Sequence, residues 1–223
     1  MSAPPLFCVA CIDYRFDALT NTFFKNVGRE MDFFLSTTAG GPLALGCASS
    51  PLSHPSSDVL QLFQQSLVTN LDVALTLQPI KDIYLMNHQD CGAMKHFLAC
   101  SGYPKSLGEN NRREIQIHSE VLSLAHQFLR PIYPDKQIKL GLIDINGAVA
   151  EYSPNSGTWT VVHLGESDSD LGLWYNMAVG DLYPSQAGVA GSAAEDEVPP
   201  QASARRIAQA RAAKSRSFKR YGQ

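Results

Sequence analysis

The sequence predicts an α/β fold, a mainly parallel sheet flanked by helices. Three observations carry that prediction. Short apolar runs such as Leu6–Cys11 alternate with longer stretches whose apolar residues recur at helical spacing. Two segments dense in Cys, His, Asp and Arg follow directly on such runs, and open α/β sheets place their sites at strand C-terminal ends. The 223 residues are 44% hydrophobic, enough for one core plus a tail.

Leu6–Cys11 is continuously apolar and reads as a buried strand. Phe16, Leu19, Phe23, Phe24 and Val27 then recur at helical spacing, with Gly28 placed as the stop. Phe33–Thr38 is a second strand, running into Ala39-Gly40-Gly41-Pro42. Residues 46–57 are rich in Ser and Pro and read as a loop. Ser56 or Ser57 caps a long helix to about Leu77, whose apolar positions include Val59, Leu60, Phe63, Leu67, Leu71 and Leu75. A third strand covers 80–86, with His88 just past its end, and a helix follows over 92–100. A longer helix spans roughly 111–129, a fourth strand 138–145, and Asn146-Gly147 turns the chain into 148–152. Residues 158–164 add an edge strand. From about residue 185 large apolar residues nearly vanish, so the expected organisation is an α/β domain over 1–184 and a disordered or conditionally helical basic tail over 185–223.

Charge narrows the classes of function. The net charge is −3, but the seven basic residues after position 200 stand without an acid and leave residues 1–200 at −10. An acidic body argues against nucleic-acid binding by the domain. The basic end reads as a solvated terminus, as a docking element for an acidic partner, or as an RNA- or membrane-surface contact. No stretch of about 18 apolar residues exists, so no membrane span is expected, and the N-terminus lacks the pattern of a signal peptide. Five irregularly spaced cysteines fit a cytoplasmic chain with thiols and a metal better than a disulfide scaffold.

Cys11, His88 and Cys91 offer two thiolates and an imidazole, a ligand set that suits Zn²⁺, one ion per chain. Three protein ligands leave one coordination position for water, the pattern of a catalytic centre. Two thiolates cancel the formal charge of the ion, so a neighbouring acceptor gains importance. Asp13 can orient the activated water, and Arg15 can hold Asp13 by a bidentate pair and keep it ionised. Without that restraint Asp13 could itself become the fourth ligand.

Cys11-Ile12-Asp13-Tyr14-Arg15 followed by His88-Gln89-Asp90-Cys91-Gly92-Ala93 resembles the β-class carbonic anhydrases. The resemblance extends plausibly over about residues 6–164, with nearly all its specificity in these two motifs. It implies an α/β fold of that type and reversible hydration of CO₂ to bicarbonate by zinc-bound hydroxide. Cys11, His88 and Cys91 match the zinc ligands, and Asp13 and Arg15 match the catalytic dyad. Gly40 and Gly41 match a substrate-side loop, although this chain reads Ala39-Gly40-Gly41-Pro42 where the family often has Asn beside the glycine. The resemblance also implies a homodimer or higher homo-oligomer. Relatives with similar motifs hydrolyse carbonyl sulfide or carbon disulfide, and a catalytically silent zinc-stabilised protein is the non-enzymatic alternative.

Simpler readings stand beside these. Cys8 could join the other ligands in a closed structural site, but residues three apart on a strand face opposite sides, so Cys8 is better read as core. Asp13 and Arg15 could be an ordinary ion pair. Asp90 reads better as a helix N-cap than as an outer partner of the centre. His96 and Cys100 read as packing residues, His118 and His126 as helix-face residues, Cys47 as a free thiol in a loop, and Tyr14 as lining the site mouth or packing.

Overall fold

The computed structural model describes residues 5–29, 32–48, 57–98, 103–105 and 111–165, all within one unit, Met1–Leu182. The expected tail over 185–223 and Cys100 lie outside the described residues. Six strands form one sheet: β1 (Leu6–Cys11), β2 (Phe33–Thr38), β3 (Asp82–His88), β4 (Gln137–Ile143), β5 (Val149–Ser153) and β6 (Thr158–His163). Their order is β2-β1-β3-β4-β5-β6. The first four are parallel, and β5 and β6 are antiparallel additions at one edge. Among the described residues five α-helices accompany them: α1 (Asp17–Asn26), α2 (Pro42–Cys47), α3 (Ser57–Leu77), α4 (Gly92–Phe97) and α5 (Asn111–Leu129).

Alternation along the strands sorts the core onto two faces. Leu6, Cys8, Ala10, Tyr84 and Met86 face α1, where they pack with Phe16, Phe23 and Phe24. Phe7, Val9, Ile83 and Leu85 face the other side, among the inward residues of α2, α3, α4 and α5. Leu43, Leu60, Leu67 and Leu71 are almost completely buried there, each worth about 1.5–3 kcal/mol of apolar burial. On α3 the buried positions are Leu60, Leu67, Leu71 and Ala74, at helical spacing, while Val59, Leu62, Val73 and Leu77 are exposed. Cys8 is core, on the opposite face from the cluster against which Cys11 packs. Burial pushes its thiol pKa up.

Most expected elements appear within a few residues of their sequence bounds, with three differences. Residues 42–47 form α2, where the sequence reads as turn and then loop from 46. Pro42 sits at the helix start, where its missing N–H is harmless. Gly46 lets α2 approach α5 closely, since a Cβ there would lie 2.6 Å from the Val121 carbonyl oxygen. Cys47 is therefore not in a loop but buried at the end of α2, and burial pushes its thiol up to about 12. β3 runs two residues further than expected, making His88 its last residue.

The topology creates the crevice. From β1 the chain moves outward to β2, and its next strand, β3, lies on the other side of β1. Connections therefore leave β1 and β3 in opposite directions, and their C-terminal ends bound a switch point. Cys11 ends β1, His88 ends β3, and Cys91 lies three residues after His88, just past the Gln89-Asp90 turn. Among the described residues no helix is long and apolar enough to cross a membrane.

Candidate metal centre

Cys11, His88 and Cys91 come together as the sequence spacing suggests. One ligand atom from each lies within 4.8 Å of the others. The two Sγ atoms are 4.0 Å apart, against roughly 3.8 Å for two thiolates about 2.3 Å from one tetrahedral ion. The Cys11 thiol is held below its ordinary pKa, first by the hydrogen bond with Cys91, and the same contact pushes Cys91 up.

His88 supplies the sharper test of fit. It is 2% exposed and its ring stacks on Phe16, with centroids 4.1 Å apart. Nδ1–H donates to the Gln89 carbonyl at 2.8 Å, which leaves the lone pair on Nε2. That Nε2 is buried and has no hydrogen-bond partner. A bare imidazole nitrogen beside two thiols is the donor set of a metal ion, and the three residues are arranged to hold one.

The Cys11 arm is set by local geometry. Gly40 and Gly41 have φ of +82° and +49°, values that disfavour any side chain. A Cβ on Gly41 would lie 2.7 Å from the Ala10 carbonyl carbon, so only glycine lets the β2–α2 turn pass the end of β1. There Gly40 N–H donates to Cys11 Sγ at 3.3 Å. The glycine pair thus lies against the thiolate.

Two residues past Cys11, Asp13 caps a 3-10 turn over Tyr14–Phe16 by accepting from Arg15 N–H at 3.2 Å. The Arg15 guanidinium grips the same carboxylate as a fork, Nε to Oδ1 at 3.0 Å and Nη2 to Oδ2 at 2.7 Å. That hydrogen bonding holds the Asp13 pKa below the usual carboxylate range. Asp13 Oδ2 stands 4.0 Å from the bare His88 Nε2. Tyr14 is 86% exposed, so it does not pack against the described residues.

Arg15 also reaches the second arm, donating from Nη1 to Asp90 Oδ2 at 2.8 Å and from Nη2 to the Asp90 carbonyl at 3.2 Å. Lys95 donates to the other Asp90 oxygen. Burial works against the Asp90 carboxylate, but the bonds from Lys95 and Arg15 outweigh it and keep its pKa low. The expectation that Asp90 is an N-cap is therefore corrected: Cys91 occupies that position with no side-chain cap, and the Asp90 side chain is taken by two cations. Asp90 has φ +58°, unique among the described non-glycine residues, at a cost of about 1–3 kcal/mol.

Sequence reasoning missed the group behind that turn. Glu114 and His118 on α5 are 2% and 0% exposed, and Tyr103 is 5% exposed. Glu114 Oε1 accepts from Asp90 N–H and from Tyr103 O–H, both at 2.6 Å. Burial opposes the Glu114 charge, but bonds from His118, Tyr103 and the Asp90 backbone outweigh it and hold its pKa down. His118 is a buried network residue and not simply a helix-face one. One signal was available, since Glu114, His118, Val121 and Ala125 share one helical stripe, and a charged residue in an apolar stripe asks for a partner.

A small pocket adjoins Cys11 and His88, with Ala10, Phe16, Leu35, Met86 and Ile143 as its apolar lining.

No family model matches the chain. Two curated proteins are similar, each described only as uncharacterized. One, from Rickettsia bellii (strain RML369-C), is 22% identical over 143 residues, which span 64% of this chain and 78% of that protein. The other, from Rickettsia conorii (strain ATCC VR-613 / Malish 7), is 21% identical over 143 residues, spanning 64% of this chain and 69% of that protein. Among solved structures, the β-carbonic anhydrase CcaA is 16% identical with a TM-score of 0.43, covering 75% of this chain and 80% of that one. A structure from a study of two tetrameric β-carbonic anhydrases of Sordaria macrospora is 14% identical with a TM-score of 0.44, covering 72% and 84%. The β-carbonic anhydrase CafA of Aspergillus fumigatus is 16% identical with a TM-score of 0.27, covering 75% and 79%.

Proposed function

We propose that this chain is a zinc-dependent lyase that interconverts CO₂ and bicarbonate, as the motif resemblance to β-class carbonic anhydrases implies. One observation carries the reading: a buried, unpartnered His88 Nε2 beside two thiols, with an arginine-clamped carboxylate 4.0 Å away. A site built only for structure has no need of that carboxylate.

Cys11, His88 and Cys91 would hold the zinc ion, which would supply Lewis acidity to a water in the open position. The chain's own residues do the rest. Asp13 Oδ2 accepts a hydrogen bond from the reacting water and fixes which lone pair faces the substrate. Arg15 keeps Asp13 ionised and keeps it off the metal, with both guanidinium edges engaged, one by Asp13 and the other by Asp90. Phe16 packs on the His88 ring, and the small pocket beside it mixes apolar lining with Asp17, Thr20 and Thr37. The chain works as a homo-oligomer in this reading, and the acid-rich body with its basic end leaves the tail to dock an acidic partner.

Stopped-flow CO₂ hydration by the zinc-loaded protein tests the proposal, with carbonyl sulfide hydrolysis measured in parallel. Hydration well above the buffer rate is expected. Turnover of carbonyl sulfide alone would move the same site to a hydrolase, and no turnover of either would leave a silent metal-binding protein.

A further inference from the structure

Glu114 and Tyr103 have no part in the ligand set or the Asp13–Arg15 pair, yet both end on the turn that carries Cys91. Their hydrogen-bond directions are fixed by counting donors. Tyr103 gives its only proton to Glu114 Oε1 at 2.6 Å. The phenolic oxygen then accepts from Cys91 N–H at 3.3 Å and from His118 Nε2 at 3.3 Å, so His118 carries its proton on Nε2. Glu114 Oε1 also takes the Asp90 N–H at 2.6 Å. Both backbone N–H groups of the left-handed turn are thereby captured by side chains from outside it. On the other side of the turn the Asp90 carboxylate is held by Arg15 and Lys95.

We propose that Glu114 and Tyr103 are positioning residues for the metal centre, holding the Asp90–Cys91 turn so that Cys91 Sγ faces Cys11 Sγ and His88 Nε2. The inference rests on the metal-centre reading above. Neither residue belongs to the ligand set; Tyr103 acts through the Cys91 N–H and Glu114 through the Asp90 N–H and the Tyr103 hydroxyl. Outer partners of metal ligands orient the donor atom and tune its affinity, and removing one typically weakens binding by about 10–100-fold. Here the partners hold backbone N–H groups, the nearer of them three covalent bonds from Sγ, so geometry, not ligand basicity, is what they control. His118 completes the group from the inside by donating to Tyr103.

The test uses full-length protein loaded with cobalt(II), whose thiolate charge-transfer absorption reports the sulfur ligands. Cobalt affinity is measured by chelator competition for the wild type, Tyr103→Phe, Glu114→Ala and Glu114→Gln, alongside the Tm of each metal-free protein. Wild type is expected to bind one cobalt per chain with a two-thiolate spectrum. Tyr103→Phe and Glu114→Ala are expected to weaken binding about 10–100-fold and to shift the charge-transfer band. Glu114→Gln keeps an acceptor oxygen and is expected to recover most of the affinity. Affinities within twofold of wild type and an unmoved band in Tyr103→Phe and Glu114→Ala would overturn the proposal, whatever happens to Tm. Should Glu114→Ala fail to fold, Tyr103→Phe removes a single oxygen and decides alone. A wild type that binds no cobalt would overturn the metal reading itself, a result distinct from unaltered variants.

Discussion

The Cys11 arm and the His88–Cys91 arm bring three donor atoms to one point, but they are held in different ways. The Cys11 arm is short and local: a strand end, a 3-10 turn, and a carboxylate–guanidinium fork between residues two apart. Its charged groups are partly exposed, with side-chain exposures of 17% for Asp13 and 35% for Arg15. The second arm is deep. His88 and Cys91 are nearly inaccessible, and their turn is fixed by Glu114 and Tyr103, 24 and 12 residues further along the chain. The difference separates two tasks. Buried, long-range restraints suit ligands that must not move, whereas a partly exposed ion pair suits a group that meets water and substrate. Arg15 is the bridge between the arms, because one guanidinium serves both Asp13 and Asp90.

The comparison can be broken most severely by removing a ligand. Cys91→Ser is expected to lose more than about 100-fold in zinc affinity, beyond the 10–100-fold cost of losing an outer partner. Elemental analysis after dialysis against a weak chelator reads the loss, and full zinc retention would remove Cys91 from the ligand set. Arg15→Ala should separate the arms in the opposite sense, keeping about one zinc per chain while CO₂ hydration falls at least about 100-fold. The reason is that Asp13, freed from its fork, turns onto the ion; normal turnover would reduce the pair to a structural salt bridge.

Gly41→Ala probes how the first arm is seated. A Cβ 2.7 Å from the Ala10 backbone, at positive φ, is expected to cost about 1–3 kcal/mol, read by chemical denaturation. An unchanged denaturation midpoint would show that the turn relaxes freely. The smallest effect is expected from His118. Burial holds its pKa below 6.5, so the unfolded chain binds a proton there that the folded chain does not. Its contribution is present above the unfolded pKa and is lost as pH falls below it. His118→Gln should flatten the decline of stability between pH 7.5 and about 5.5, by no more than about 1.4 kcal/mol per pH unit. Parallel stability curves for the two proteins would show that His118 is not the group that titrates.

Most of the fold is legible in the sequence because its signals are local. β1 is apolar throughout, β2 and α5 coincide with their expected bounds, and the Asn146-Gly147 turn leads into antiparallel β5. α2 is not legible: six residues starting with Pro and containing Gly have little helical preference of their own, and the segment is helical because α5 receives it. The grouping of Cys11, His88 and Cys91, which could hold a metal, is legible because ligand chemistry restricts residue type and spacing. The group behind Cys91 is not, since Tyr103 and Glu114 meet the turn through contacts that leave no local pattern. Asp90 shows the same limit. Its position before α4 suggests a cap, but Arg15, 75 residues away in sequence, takes its side chain instead.

X-ray absorption at the zinc edge of the resting protein tests most directly whether the two arms converge on one open centre. The account predicts about two sulfur ligands at ~2.3 Å and two lighter ligands at ~2.0–2.1 Å, one of them from water. Three or four sulfur ligands would contradict it, since a third thiolate would close the centre and leave Asp13 and Arg15 without a water to direct.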